Sequence, residues 1–221
     1  MKAMILAAGR GERMKPFTDH TPKPLAPFRG ERLIEPLLRS LFESGVRQAV
    51  INVCHLGDQI MEFLGDGRRY GLQLQYSIES YVGQWDTGGG ILKALPMLGP
   101  QPFLVVSADI FSNFNFSELL KKKLLQRAHL VMVENPSFNP QGDFHLQADG
   151  FLTERGNNML TYANIGILDP LLFSNLPLEK IALGKIFRAA VAKGQITGEK
   201  YDGTWHNVGA FSDLAALNNS Y

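Results

Sequence analysis

The sequence predicts an α/β fold, a mixed and mostly parallel sheet with helices on both faces. Three observations predict it. Apolar runs with strand character recur at Ala3–Leu6, Ala49–Val53, Leu72–Tyr76, Phe103–Val106 and Leu130–Val133. Segments of helical period lie between them. The alternation runs on without an internal repeat, a low-complexity tract or a Pro/Gly/Ser linker, so residues 1–221 read as one domain.

Taken in order, the first strand is the run Ala3–Leu6, stopped by Gly9 and Gly11. Leu33, Pro36/Leu37 and Leu41 share the face of a first helix, in which Pro36 fits only the N-terminal turn, where its missing N–H costs no bond. Ile60, Phe63 and Leu64 mark a second helix, Ile91, Leu92 and Leu95 a third, and Leu119, Leu120 and Leu124 a fourth. After Asn135 the pattern changes. Phe144–Leu146, an Asp149-Gly150 turn and Phe151–Leu152 read as a hairpin, and Thr161–Leu168 as a further strand. A helix around Lys185–Lys193, a short strand near Trp205 and a helix from Ser212 close the chain. Ligands of open α/β sheets sit at the carboxyl ends of the strands, so the loops after Leu6, Ser77 and Val106 are expected to hold the chemistry.

Composition excludes several classes. With 45 % hydrophobic and 19 % charged residues the chain is neither disordered nor collagen-like. Its 22 basic and 21 acidic side chains leave a formal charge of +1, which gives no support for a nucleic-acid or membrane partner held by bulk electrostatics. The one cysteine, Cys54, has no partner for a disulfide within the chain and fits a reducing compartment; following an apolar strand, it reads as an inert buried thiol. The N-terminal apolar run ends at Gly9–Arg13, too soon for a signal peptide or a membrane span, so a cytoplasmic protein is expected.

Five segments could carry chemistry. Leu6-Ala7-Ala8-Gly9-Arg10-Gly11-Glu12-Arg13-Met14 follows the first strand; glycines let the backbone approach an anion, and arginine adds a planar donor fork. No Gly-Lys-Ser/Thr makes it a P-loop, and Met14 stands where a dinucleotide fingerprint needs its third glycine. Alone, such a loop would equally serve to turn the chain. Thr21-Pro22-Lys23-Pro24-Leu25 holds Lys23 between prolines, an extended setting for presenting an ammonium to phosphate, or simply a solvated lysine. In Trp85-Asp86-Thr87-Gly88-Gly89-Gly90 the glycines suit either a flat ligand lying on bare backbone, with Thr87 as N-cap, or a hinge. Asp109, just past the strand that ends in Val106, suits Mg²⁺ bridging phosphates or a turn. Near the C-terminus, Asn207 in Trp205–Gly209 offers a neutral oxygen to a metal or closes a turn. The five histidines have no zinc spacing, and no Gly-x-Ser-x-Gly elbow is present.

On Leu6-Ala7-Ala8-Gly9-x-Gly11-x-Arg13-Met14-x-Pro16-x-Thr18, followed by Pro22-Lys23-Pro24-Leu25, the chain resembles the sugar-1-phosphate nucleotidyltransferases. The resemblance continues through Ile51–Leu56, Gly65–Gly71, Thr87–Gly90, Asp109 and Trp205–Gly209 and so covers essentially the whole chain. Within that family the short bacterial N-acetylmuramate-1-phosphate uridylyltransferases are most similar, sharing the spacing of Gly142-Asp143-Phe144 as well. The resemblance implies a Rossmann-like sheet of the nucleotide-diphospho-sugar transferase type, with residues 1–134 mainly nucleotide-binding and 135–221 mainly sugar-binding. It implies Mg²⁺-dependent transfer from a nucleoside triphosphate, UTP first, to a sugar-1-phosphate, N-acetylmuramate-1-phosphate first, in cell-wall recycling, by a monomer or weak homodimer. Mannose-1-phosphate guanylyl transfer is the alternative within the family, and a catalytically silent nucleotide-sugar sensor the alternative outside it.

By matching position, Leu6, Ala7, Ala8, Gly9, Gly11, Arg13 and Gly88 would bind the nucleotide, with Arg13 over the leaving pyrophosphate. Lys23 would contact the α-phosphate or sugar phosphate, Asp143 and Asn164 the sugar, and Asp109 and Asn207 the metal; Arg13, Lys23 and Asp109 would carry catalysis. Two departures stand out. Asn207 replaces the family's second metal-binding aspartate, and Glu79–Trp85 is longer than the family pattern beside the base pocket, which leaves the choice of nucleotide open. Residues Gly9–Pro22, rich in glycine, charge and proline, are expected to order on nucleotide binding.

Overall fold

The computed structural model describes residues 1–219. The chain runs β1 (Ala3–Leu6), a short hairpin β2 (Pro27–Phe28) and β3 (Glu31–Arg32), α1 (Glu35–Glu43), β4 (Gln48–Val53), α2 (Gly57–Leu64) and β5 (Gln73–Ile78). It continues with α3 (Asp86–Leu98), β6 (Phe103–Ser107), β7 (Ile110–Ser112), α4 (Phe116–Lys121), β8 (Ala128–Val133), β9 (Phe144–Leu146) and β10 (Leu152–Thr153). β11 (Met159–Leu168), α5 (Leu183–Val191), β12 (Ile196–Lys200), β13 (Trp205–Asn207) and α6 (Phe211–Asn219) follow.

Among the described residues nine strands form one sheet, ordered β10-β9-β11-β6-β1-β4-β5, with β8 on β11 and β12 on β8. β6, β1, β4 and β5 run parallel to one another, as does β12 to β8, while β11 runs antiparallel to β6, β8 and β9. This is the mixed, mostly parallel sheet the sequence predicts. Successive side chains of a strand point to opposite faces, and each face here has its own core. Ala3, Ile5, Leu104 and Val106 pack under α1, α2 and α4, whereas Met4, Phe103 and Val105 pack under α3 and α5. With both faces covered, the strands read as continuous apolar runs.

A third, smaller cluster joins the chain's two ends. Met14, Phe28 and Leu33 pack with Val208, Leu214 and Leu217, so α6 is seated on the segment that follows the first loop. The Gly209 and Ala210 N–H groups donate to Asp213 Oδ2, which satisfies donors at the start of α6.

Some local expectations are corrected. Leu33 precedes α1, its N–H bonded to Ala26 O, and Leu124 lies beyond α4. Pro36 does sit in the first turn of α1. β2, β3, β7 and β12 carry no clear apolar alternation and were not predicted: β12 is Ile-Thr-Gly-Glu-Lys and takes its strand form from pairing with β8. Cys54 is half-buried rather than buried, and burial first, then the nearby Glu79, pushes its thiol up.

Candidate active site

The carboxyl ends of β1, β5 and β6 open into a cleft of about 510 Å³. A second hollow of about 300 Å³ adjoins it, with Asp86, Thr87 and Asn164 lining both. Of the residues singled out from sequence, Leu6, Ala7, Ala8, Gly9, Gly11, Arg13, Lys23, Asp109 and Asn164 line the first cavity. Asp143 and Asn207 line the second, with Asn164 shared.

The first loop is shaped by one glycine in particular. Gly11 has φ +72°, and a Cβ there would lie 2.9 Å from Thr18 Cγ2 and 3.3 Å from Lys23 Cβ. Its carbonyl accepts from Met14 N and from Thr18 Oγ1, closing the turn that presents Arg13. The guanidinium of Arg13 lies flat against Gly209, where a Cβ would stand 2.7 Å from Nη2. Gly209 was overlooked as a site residue; its signal is its place at the end of Trp205–Gly209.

Lys23 is not extended, as the flanking prolines suggested. Pro22 is extended, and Lys23 opens a 3-10 turn, Lys23–Leu25, which carries it inward to 9 % exposure. Its ammonium meets Asp109 Oδ2 at 2.5 Å. A buried cation needs a partner, and this carboxylate at the end of β6 supplies one.

Behind the loop, Asn52 on β4 links two strands. The Ala7 N–H donates to Asn52 Oδ1 at 2.9 Å, and Asn52 Nδ2 donates to Glu79 Oε1 at 2.8 Å. Glu79 is 6 % exposed, and burial raises its carboxyl above the ordinary range against the opposing pull of the Asn52 hydrogen bond and Lys93. Asn52, Glu79 and Lys180 all line the cleft, and sequence reasoning missed them. Asn52 falls within Ile51–Leu56 and Glu79 opens Glu79–Trp85, both segments of the family comparison, but neither residue was singled out; Lys180 has no motif around it.

The glycines of α3 correct a sequence reading. Gly88 is buried and does not line the cleft: its N–H donates to Ile181 O, and a Cβ would stand 2.8 Å from that oxygen. At Gly89 a Cβ would stand 2.4 Å from Glu179 O, and at Gly90 2.8 Å from Glu79 Oε1. These glycines let segment 179–183 and Glu79 close onto the helix; they do not form a bare platform for a base. Nor does Thr87 cap α3, which begins one residue earlier, with Asp86 Oδ1 accepting from Thr87 N.

On the second hollow, the register of β11 against β8 shifts between Tyr162 and Gly166, and Asn164 within that irregularity has φ +56°. Trp205 Nε1 donates to Ala163 O and so ties β13 to this bulge. Asp143 Oδ2 accepts from the Tyr162 N–H. The Tyr162 hydroxyl is buried without a partner among the described residues, its ring edge-on to Phe187, and burial pushes it well above the usual phenol range.

Asn207 pairs across the ladder with Ile110, the residue after Asp109, and the Val208 N–H donates to Asp109 O. Among the described residues its Oδ1 is buried without a hydrogen-bond partner. Among the described residues no group of three His, Cys, Asp or Glu is poised for a metal. Mg²⁺ does not require one, since one or two protein oxygens plus substrate phosphates and water complete its shell. In donor type the Asp109 carboxylate and the Asn207 amide oxygen suit that demand; the first lines the larger cavity and the second the adjoining hollow.

Glycine-shaped backbone, a buried lysine, an arginine and a carboxylate at the carboxyl edge of a parallel sheet have the chemistry that suits phosphate, and the chain belongs to the nucleotidyl transferase family, whose profile matches residues 2–142. It is a sugar-1-phosphate nucleotidyltransferase. It is 44 % identical to the N-acetylmuramate alpha-1-phosphate uridylyltransferase of Neisseria meningitidis serogroup B, over 97 % of this chain and 95 % of that one. The enzyme of the same name from Caulobacter vibrioides is 29 % identical, over 94 % and 91 %. A Bacillus anthracis chain assigned as a glucose-1-phosphate thymidylyltransferase, crystallised with sucrose, superposes with a TM-score of 0.87 at 20 % identity, covering 99 % and 94 %, and shares the fold. Among the described residues no helix is long and apolar enough to cross a membrane.

Proposed function

We propose that this enzyme transfers the uridylyl group of UTP to N-acetylmuramate-1-phosphate, giving the UDP-sugar and pyrophosphate, with Mg²⁺, in cytoplasmic recycling of cell-wall sugar. The observation that carries the reading is the 44 % identity, over nearly the full length of both chains, to an enzyme named for that reaction. The division of the cleft into two hollows joined at Asp86, Thr87 and Asn164 supports it, with room for a nucleotide on one side and a sugar on the other.

The attacking sugar-phosphate oxygen is already ionised at neutral pH, so no base must take a proton from it. A bond forms from that oxygen to the α-phosphorus, the bond from the α-phosphorus to the bridging oxygen breaks, and pyrophosphate leaves with the electron pair. What the chain must supply is alignment and charge. The first-loop backbone from Leu6 to Gly11 holds the triphosphate. Arg13, braced on Gly209, faces the leaving pyrophosphate, and Lys23 meets the charge that develops at the α-phosphate. Asp143 and Asn164 orient the sugar. Asp109 and Asn207 would hold Mg²⁺, which when bound neutralises triphosphate charge. Lys23 and Asp109 meet at 2.5 Å, which sets the ammonium and the carboxylate side by side at the carboxyl edge of the sheet.

The test is pyrophosphate release with Mg²⁺ across four nucleoside triphosphates and several sugar-1-phosphates. The expected result is one strong signal, at UTP with N-acetylmuramate-1-phosphate. A strong signal at GTP with mannose-1-phosphate replaces the substrates and keeps the mechanism. Silence from folded protein that still binds nucleotide replaces the enzyme with a sensor.

A further inference from the structure

The second hollow holds a charge that nucleotidyl transfer itself does not use. Arg188, on α5, is the one cationic side chain among the described residues that line it. Its guanidinium lies 5.3 Å from the centroid of the Phe144 ring, a wall of the same hollow. Among the described residues no carboxylate pairs with it. The hollow's two acids pair with backbone and not with Arg188: Asp143 Oδ2 accepts from the Tyr162 N–H and Asp86 Oδ1 from the Thr87 N–H. An unpaired guanidinium beside an aromatic ring is a receptor for a planar anion. Its fork matches a carboxylate, and the ring limits the freedom lost on binding.

We infer that Arg188 binds a carboxylate carried by the sugar and thereby separates acidic from neutral sugar-1-phosphates. The inference rests on the acceptor proposed above, whose lactyl ether ends in a carboxylate. The layout supports it. Lys23 and Asp109 line the first cavity only, and Arg188 lines the second only. A sugar-1-phosphate spanning the junction at Asn164 with its phosphate toward Lys23 turns its ring substituents toward Arg188. Because Arg188 is exposed, water competes for the same anion, and the discrimination it provides is about tenfold.

The experiment compares kcat/KM for N-acetylmuramate-1-phosphate and N-acetylglucosamine-1-phosphate, which differ only in the lactyl ether. It uses the full chain as wild type, R188M and R188K, with UTP and Mg²⁺. The expected result is a wild-type preference for the acidic sugar that falls about tenfold in R188M, through KM, and returns in part in R188K, with melting temperatures unchanged. A preference unchanged in R188M overturns the assignment and leaves the acceptor standing. An equal loss on both sugars with a lowered melting temperature makes Arg188 a prop for Phe144 and also overturns it. A wild type that prefers the neutral sugar, or uses neither, overturns the acceptor and this assignment together.

Discussion

Replacing Lys23 by methionine removes one ammonium and keeps most of the side chain's volume. In the folded protein the Lys23 side chain is 11 % exposed and that of Asp109 30 % exposed, at 2.5 Å from each other. Breaking a fully buried pair from one side costs about 3–5 kcal/mol, because the surviving charge is left uncompensated. Asp109 retains access to water, which brings the expected loss of stability to about 1–2 kcal/mol. The kinetic loss has a different origin. A cation aimed at charge that develops in the transition state is worth ~10²–10³ in kcat, or about 2.7–4 kcal/mol. Urea denaturation and pyrophosphate release on K23M measure the two effects. The double variant K23M/D109N separates them: removing the stranded carboxylate restores most of the stability, while activity stays lost. K23M with kcat within threefold of wild type would refute the assigned role, and K23M/D109N no more stable than K23M would refute the ion-pair argument.

Three further outcomes are expected. G209A places a methyl group 2.7 Å from Arg13 Nη2, so the guanidinium must move; pyrophosphate release should fall about tenfold with the melting temperature nearly unchanged, and a fully active G209A would mean that Arg13 need not rest there. Asn207→Asp adds a charge at the orphaned oxygen and should lower the Mg²⁺ concentration for half-maximal rate; an unchanged Mg²⁺ dependence removes position 207 from the metal site. Glu79 has a raised carboxyl pKa in the folded state, from burial, so the folded state favours its protonated form. Its contribution to stability is therefore fullest below the unfolded value and is lost as pH rises through the folded one. E79Q, which cannot ionise, should be more stable than wild type near pH 7 by a margin that shrinks toward pH 4; melting curves across that range test it, and a margin independent of pH would refute it.

How much could be read in advance depended on whether a residue acts through its neighbours in sequence or in space. The parallel core was legible because strands buried on both faces must be apolar throughout: Ala3–Leu6 and Phe103–Val106 announce themselves. The first loop and Lys23 were legible because phosphate contact needs particular residue types at short spacing. β12 was not, since its five residues carry little apolar signal and become a strand only beside β8. The glycines at positions 88–90 were misread for a similar reason. What they accommodate, Glu179 O, Ile181 O and Glu79, is close in space and mostly far along the chain.

Local chemistry in the sequence by itself determined the alternating α/β core, the glycine loop that turns at Gly11, and the presence of Arg13, Lys23 and Asp109. Short-range sterics and the apolar requirement of a sheet covered on both faces act at each position and leave a mark there. Only the tertiary structure decided that Lys23 and Asp109, distant in sequence, form one part-buried pair. It alone set Gly209 beneath Arg13, bridged the first loop to Glu79 through Asn52, and placed Arg188 on the wall of the second hollow with no carboxylate partner among the described residues. Those relations arise where the carboxyl ends of the strands converge, and a long-range contact has no local energetic signature in the chain that makes it.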